Sequence, residues 1–238
     1  KTQAIDYPEY GSFRIFTTNN TLKFRAESFL KKEPTTLEWL QSLEKNSVLI
    51  DVGANIGIYT IPSALFHVKK VVALEPEIQN YSMLLKNIEL NKISSEKVEA
   101  LPLAVSTEHA NKFTKIYLTS ENVGDGCHQV GRNQNHLLEE INSKDRKSRS
   151  IYCVSLASIV RQVNEIHKGP IHIKIDVDGI EEDVCQSLFD EKIINRISSL
   201  QIELNSDLPS HQNLISKLAS AGYYYSQKQV ERSARKSG

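Results

Sequence analysis

The chain has 238 residues, in which 29 Lys and Arg balance 29 Asp and Glu at a pI near 7.2. That balance gives no electrostatic reason for an obligate nucleic-acid partner, and no apolar run approaches the roughly 20 residues of a membrane span. The length suits one domain with a sizeable core and leaves room for a small appendage.

Residues 1–30 mix Tyr, Phe, Thr and Asn, and are expected to form an appended β-hairpin turning at Asn19-Asn20. A main domain over residues 31–226 and a disordered basic tail over 227–238 complete the expected organisation. In KKEPTTLEWLQSLEK, Thr35 and Glu38 read as a capping box, and Leu37, Trp39, Leu40 and Leu43 as the apolar face of a helix. Glu33 before it is either a solvated charge or part of a ligand pocket. Residues 48–52, VLIDV, read as a strand buried on both faces; a small-residue turn, Gly53 to Gly57, and a helix beginning IYTIPSALF follow. Glycine belongs at 53 and 57 because a ligand or the returning helix must approach bare backbone there. The next strand, VVAL, ends in Glu75, 24 residues after Asp51. Strand, glycine turn, helix, strand and acid is the plan by which doubly wound folds hold a nucleoside, with the acid on the ribose. A dinucleotide fingerprint needs glycines where Asn55 and Ile58 stand. The pattern D-V-G-x-N-x-G is instead that of S-adenosylmethionine (SAM) methyltransferases, whose cofactor has no pyrophosphate and carries an ammonium that Asp51 can attract.

Pro76 is expected to open a helix with Ile78, Tyr81, Leu84, Leu85 and Ile88 on one face. Residues 98–105 then form a single strand whose end, Leu103 to Ser106, either lines an adenine or is plain core. Residues 112–119 and 150–156 read as two more strands. Between them lies a long polar segment, expected as a mobile lid that recognises the acceptor. His128 and His136 within it have no metal-ligand spacing, and the KDRKSR run at 144–149 reads as solvated surface or as a site for an anion. Ser155 caps a helix that Gly169-Pro170 stops. In IHIKIDVDGIEED, Lys174 and Asp176 share a face of a strand buried on both sides, so they must reach its carboxyl edge or pair. Glu182 and Asp183 suit the first turn of the next helix through its dipole. SLQIEL at 199–204 carries Glu203; if its strand lies beside that of Asp176, the two carboxylates stand side by side where open α/β sheets bind ligands. They would hold a cation or leave one acid able to take a proton. A helix at 211–221, a Gly222 cap and a final strand in GYYYSQ end the fold. Cys127, Cys153 and Cys185, without a CxxC pair, read as reduced thiols of a cytoplasmic protein, and no signal peptide is expected at Lys1.

VLIDVGANIGIYT, VVALEPEIQNYSMLLKNIELNK, the LPLAV strand and KIDVDGIEEDVCQSL together resemble the FkbM family of SAM-dependent methyltransferases, over about residues 31–205. The long Asn-rich segment near 119–150 departs from the family's pattern. The resemblance implies that the main domain is a methyltransferase domain with a class I, Rossmann-like α/β fold: a mainly parallel seven-stranded sheet with an antiparallel last strand and helices on both faces. It implies transfer of the SAM methyl to a hydroxyl of a sugar, glycan or related metabolite. Asp51, Gly53, Ala54, Asn55 and Gly57 would hold the methionine end of SAM and Glu75 the ribose. Asp176, with Lys174 and Glu203, would bound the reaction chamber, and Asp178 and Glu181 would meet the acceptor. A divalent cation is compatible with the acids but nothing in the sequence requires one. Two other readings remain: a NAD-linked or nucleotide-sugar oxidoreductase, and a silent module that keeps SAM as a structural ligand.

Overall fold

The computed structural model describes residues 1–135, 137–141 and 146–233. Thr2–Tyr7 (β1) and Gly11–Phe16 (β2) form an antiparallel hairpin that turns at residues 8–10. The turn is not at Asn19-Asn20: Asn19 caps the helix Asn20–Lys32 (α1), its side chain accepting from the Leu22 N–H at 2.8 Å. A short amide side chain satisfies a free helix N–H as readily as it favours a turn, so the local signal is ambiguous. Pro34–Gln41 (α2) follows after Glu33 alone. No capping box forms there, because Glu33 holds the cap position and Pro34 the first turn, which places Thr35 inside the helix.

Val48–Val52 (β3) is buried at every position. The helix after the glycine turn is a single turn, Thr60–Pro62 (α3), continued by a π-helical turn at Ser63–His67. Pro62 has no N–H to give to a regular ladder. Lys70–Leu74 (β4) and Ile78–Leu90 (α4) come next. This helix starts past Pro76 because the Glu77 carboxylate caps it, accepting from the Gln79 and Asn80 N–H groups at 2.9 and 2.8 Å. The strand expected over 98–105 is broken at Pro102 into Val98–Leu101 (β5) and Ala104–Val105 (β6), which join different sheets. Lys112–Tyr117 (β7), Gln129–Val130 (β8) and Ser148–Val154 (β9) precede Leu156–Ile166 (α5), which Ser155 caps as expected. Ile171–Ile175 (β10), Glu181–Asp190 (α6), Ser199–Ile202 (β11), Pro209–Ser220 (α7) and Gln227–Ser233 (α8) complete the described chain.

The main sheet is parallel, in the order β11-β10-β3-β4-β5, and a separate sheet has the order β6-β9-β7-β8. The main sheet thus has five strands rather than seven, and the antiparallel last strand is not formed among the described residues. Tyr223 instead donates its hydroxyl to the carbonyls of Ile194 and Ile197, and Tyr224 is 96% exposed. The tail expected to be disordered begins as α8, where Arg232 pairs with Glu38. Side chains alternate across β3. Leu49 packs with the hairpin, α1, α2 and α4, while Val48, Ile50 and Val52 pack with α5, α6 and α7. Ile5, Tyr7, Phe13 and Ile15 therefore share one buried cluster with Leu49 and Val71. Strand order reverses between β3 and β10, and the carboxyl ends of these two strands frame the crevice that open α/β sheets use for ligands.

Candidate active site

The turn after β3 is tight because three of its residues have positive φ: Gly53 at 79°, Asn55 at 50° and Gly57 at 85°. A Cβ on Gly53 would stand 2.0 Å from the Asp176 carbonyl oxygen, and one on Gly57 2.5 Å from the Leu84 side chain. What approaches bare backbone here is the end of β10 and the face of α4. The turn also uses its own N–H groups. Gly53 and Ala54 both donate to the Leu74 carbonyl at 3.0 Å, and Asn55 donates to Glu75 Oε2 at 2.7 Å. Glu75 stands at the end of β4 as expected, and its other oxygen accepts from the Glu77 N–H at 2.9 Å. It is buried, and that burial raises its pKa to about 7 against the two hydrogen bonds.

A strap crosses this turn. The Asp125 carbonyl accepts from Asn55 Nδ2 at 3.0 Å and Asn80 Nδ2 at 3.1 Å, while the Gly124 N–H donates to Asn80 Oδ1 at 2.7 Å. From the other side Asn19 Nδ2 donates to the Val123 carbonyl at 2.8 Å, Thr21 Oγ1 to Asp125 Oδ1 at 2.9 Å and Arg25 Nε to the Gly124 carbonyl at 2.6 Å. Asp178 holds the strap's far end: its carboxylate accepts from the Cys127 N–H at 2.7 Å, and its carbonyl from Gln129 Nε2 at 2.7 Å. Glu181 lies deeper, 2% exposed, accepting from the Gly179 N–H and lying 2.8 Å from His211 Nε2. Asp178 and Glu181 thus fasten backbone, and neither lines the cleft described next.

Beneath the cleft is a charge cluster. Asp51 is buried; its Oδ2 accepts from Thr60 Oγ1 at 2.6 Å, and its Oδ1 lacks a hydrogen bond but lies 3.7 Å from Lys174 Nζ. Lys174, also buried, reaches Asp176 Oδ2 at 3.3 Å and sits 5.2 Å from the centre of the Tyr59 ring. Burial pulls the Lys174 pKa down, but Asp176 and Asp51 outweigh it and hold the group as an ammonium. Burial raises the Asp176 pKa, yet Lys174, Lys32 and Arg25 together leave it below the usual carboxylate value. Asp51 goes the other way, raised by burial that Lys174 and Thr60 only partly offset. Strands β10 and β11 are neighbours, so the Glu203 N–H donates to the Ile175 carbonyl at 3.2 Å. Glu33, Asp176 and Glu203 bring carboxylate oxygens within 4.8 Å of one another. Above them opens a small cleft, walled by Arg25, Phe29, Glu33, Gly53, Tyr59 and Asp176.

Residues 51–225 match the methyltransferase FkbM domain. The chain belongs to the FkbM methyltransferase family. It carries a SAM-dependent methyltransferase domain of that type, with SAM as its cofactor. Among solved structures, this FkbM domain is similar to an FkbM methyltransferase from Methylobacillus flagellatus KT, at 15% identity, 84% of this chain, 46% of that one and a TM-score of 0.46. It is also similar to M. jannaschii TYW2 in complex with AdoMet, at 19% identity, 47% of this chain, 52% of that one and a TM-score of 0.30. A third is the T. Thermophilus 16S rRNA N2 G1207 methyltransferase RsmC, at 20% identity, 44% of this chain, 32% of that one and a TM-score of 0.33. The chain spans about half the length of these solved proteins, or less. No curated protein matches it.

The residues around the cleft, some of them before the matched domain, fit such a cofactor. The cleft offers carboxylates and cations together, as a ligand with a sulfonium and an amino-acid end requires. Arg25, Lys32, Tyr59, Asn80 and Asp125 join the site without a sequence signal of their own. Asn80, four residues after the E-P pair, and Tyr59, two after Gly57, stand within the motif stretches but read only as helix residues. Of the stretch expected beside an adenine, Ala104, Val105 and Ser106 are buried, the first two within apolar clusters. In the basic run, Arg149 pairs with Glu77, and Arg146 donates to the Leu118 carbonyl at 3.1 Å, so neither is simply solvated. Lys144 and Asp145 of that run, and His136, lie outside the described residues. His128 Nδ1 accepts from the Thr119 N–H at 3.2 Å. No helix among the described residues is long and apolar enough to cross a membrane.

Proposed function

We propose that this FkbM methyltransferase moves the SAM methyl to a hydroxyl oxygen of a sugar, glycan or related secondary metabolite, acting in the cytoplasm and without a nucleic-acid partner. The observation that carries this reading is the meeting of Asp176, Glu203 and Lys174 at the carboxyl edge of β10 and β11, beside the Gly53 turn. Glu75 is the acid for the ribose hydroxyls, since each of its oxygens keeps a lone pair beyond its backbone bond. The turn from Gly53 through Ala54 and Asn55 to Gly57 sets the depth of the crevice, with Asp51 as the buried anion below it.

SAM supplies a methyl on a positively charged sulfur, so the protein has only to align the acceptor and remove its proton. As the new oxygen–carbon bond forms, the hydroxyl becomes strongly acidic. Asp176, though a weak base, would then take the proton late, and the sulfonium would keep the electron pair of the methyl bond it gives up. Lys174, held as an ammonium, fixes the Asp176 carboxylate and keeps it ionised between turnovers. Glu33, Asp176 and Glu203 are also close enough to share a divalent cation, which would lower the hydroxyl pKa. Asp178 acts on the acceptor through the strap it holds, and Glu181 through the turn at Gly179. The strap and the rest of 119–150 serve as the lid over the acceptor.

Incubation with SAM carrying a labelled methyl and a panel of glycans and hydroxylated metabolites tests the reading. One product gaining a single methyl ether is expected. SAM binding without transfer to any hydroxyl would leave a silent module instead. Loss of transfer with a chelator and its return with Mg²⁺ would assign the cation.

A further inference from the structure

We propose that Arg25, Lys32 and Glu33, where α1 meets α2, hold the amino-acid end of the cofactor, an assignment that rests on the SAM reading above. The sequence motif offers Asp51 as the partner of the SAM ammonium. In the structure Asp51 is 1% exposed, bonded to Thr60 and covered by Lys174, whose own charge would repel an ammonium. The opening beside Gly53 is lined instead by residues from α1 and the residue between α1 and α2. Lys32 Nζ lies 3.1 Å from Glu33 Oε1, with the Glu33 side chain only 17% exposed. This puts a cation and an anion side by side, as an α-amino acid does on a single carbon. Among the described residues Arg25 forms no close ion pair, although against the burial that raises them its charge helps to lower the pKa values of Asp176 and Asp125, and its guanidinium is fixed by the Nε bond to the Gly124 carbonyl. A guanidinium held by one edge offers its fork to a carboxylate. Phe29 and Tyr59 supply apolar walls for the methylenes between the charges and the sulfur. The ligand carboxylate therefore goes to Arg25 and Lys32, and its ammonium to Glu33, which leaves Asp176 for the acceptor.

The test is isothermal titration with three nucleosides: S-adenosylhomocysteine, its decarboxylated amine, and 5′-methylthioadenosine, which lacks the amino-acid end. Lys32→Ala and Arg25→Gln are expected to weaken S-adenosylhomocysteine by about ten- to a hundredfold, the range of one charge-assisted hydrogen bond, and to leave the decarboxylated amine within about threefold. Glu33→Gln is expected to weaken both amine-bearing ligands and to leave methylthioadenosine unchanged. Wild-type affinity for S-adenosylhomocysteine in all three variants would overturn the assignment. So would an equal loss of methylthioadenosine, since that nucleoside never reaches the subsite. If Arg25→Gln fails to fold, Arg25→Lys keeps the charge without the fork, and the expected weakening is confined to S-adenosylhomocysteine. Wild-type protein that binds none of the three would refute the SAM reading itself.

Discussion

Lys174 and Glu75 show how this site keeps charge below a crevice. Lys174 bridges two carboxylates, Asp51 and Asp176, and Asp51 is buried away from bulk solvent. Removing one partner of a buried ion pair strands the other, at about 3–5 kcal/mol. Lys174→Met should therefore lower thermal stability by that amount even without ligand, and an unchanged melting temperature would show that the ammonium is not the counter-charge. Glu75 predicts a pH effect of definite sign. Its pKa rises from 4.5 in a free chain to about 7 on folding, so the folded protein holds the proton longer. The stability tied to that proton is full below pH ~4.5, falls as pH rises to ~7, and is then flat. At 1.36 kcal/mol per pH unit the loss amounts to about 3 kcal/mol. Urea denaturation of wild type and Glu75→Gln at pH 5 and pH 7.5 checks this: the difference between the two pH values should shrink by roughly 2.4 kcal/mol in the variant. An identical dependence in both proteins would mean that Glu75 ionises normally. Both residues were legible as site candidates in the sequence, because an acid or a lysine inside an apolar strand must reach the strand's edge or find a counter-charge. Their partners were not, since Thr60 and Tyr59 looked like ordinary helix residues.

At the scale of elements, the strand interiors were readable and their ends were not. β3 and β10 are buried on both faces; in β3 this shows as an apolar run broken only by Asp51, and in β10 as isoleucines alternating with His172 and Lys174. The break at Pro102 and the cap at Asn19 rest on local residues whose signal was ambiguous, whereas the course of the chain after Gly222 depended on what Tyr223 met across the fold. The strap is the clearest case. In sequence it is a polar run rich in Gly and Asn; in the structure it is fastened over the cofactor turn by Asn55 and Asn80, and to α1 by Asn19, Thr21 and Arg25. Asn80→Ala removes two of these bonds, worth together about 2 kcal/mol, while α4 keeps its Glu77 cap. Local opening should rise by roughly thirtyfold, and limited proteolysis within residues 119–128 should accelerate with it, at little cost in melting temperature. Cutting at the wild-type rate would show that Asn80 does not fasten the strap. In the wild type, cofactor and acceptor together should protect the lid, and equal cutting with and without them would reduce it to a surface loop.

The whole molecule is built on a five-stranded parallel sheet with its switch point between β3 and β10, and both proposed acid sites sit at the carboxyl edge on either side of that point. The parallel sheet and the place of its switch point followed from the order of motifs along the chain; the strand count, expected as seven, did not. Arg25 and Lys32 did not, because they come to the crevice from a helix far before Asp176 in the chain, and nothing in their local sequence marks that meeting. Glu33, at the junction after that helix, was legible only as one of two readings. The division of labour between the two edges is the central claim: Glu75 serves the cofactor and Asp176 the reaction. A ribose acid binds ground and transition states alike, whereas Asp176 matters where the proton leaves. The direct measurement is calorimetric titration of Asp176→Asn with SAM, paired with its turnover of the methyl acceptor. SAM affinity within a few-fold of wild type, with turnover lower by roughly 10²–10⁴, is the predicted result. Lost SAM binding, or turnover at the wild-type rate, would contradict it.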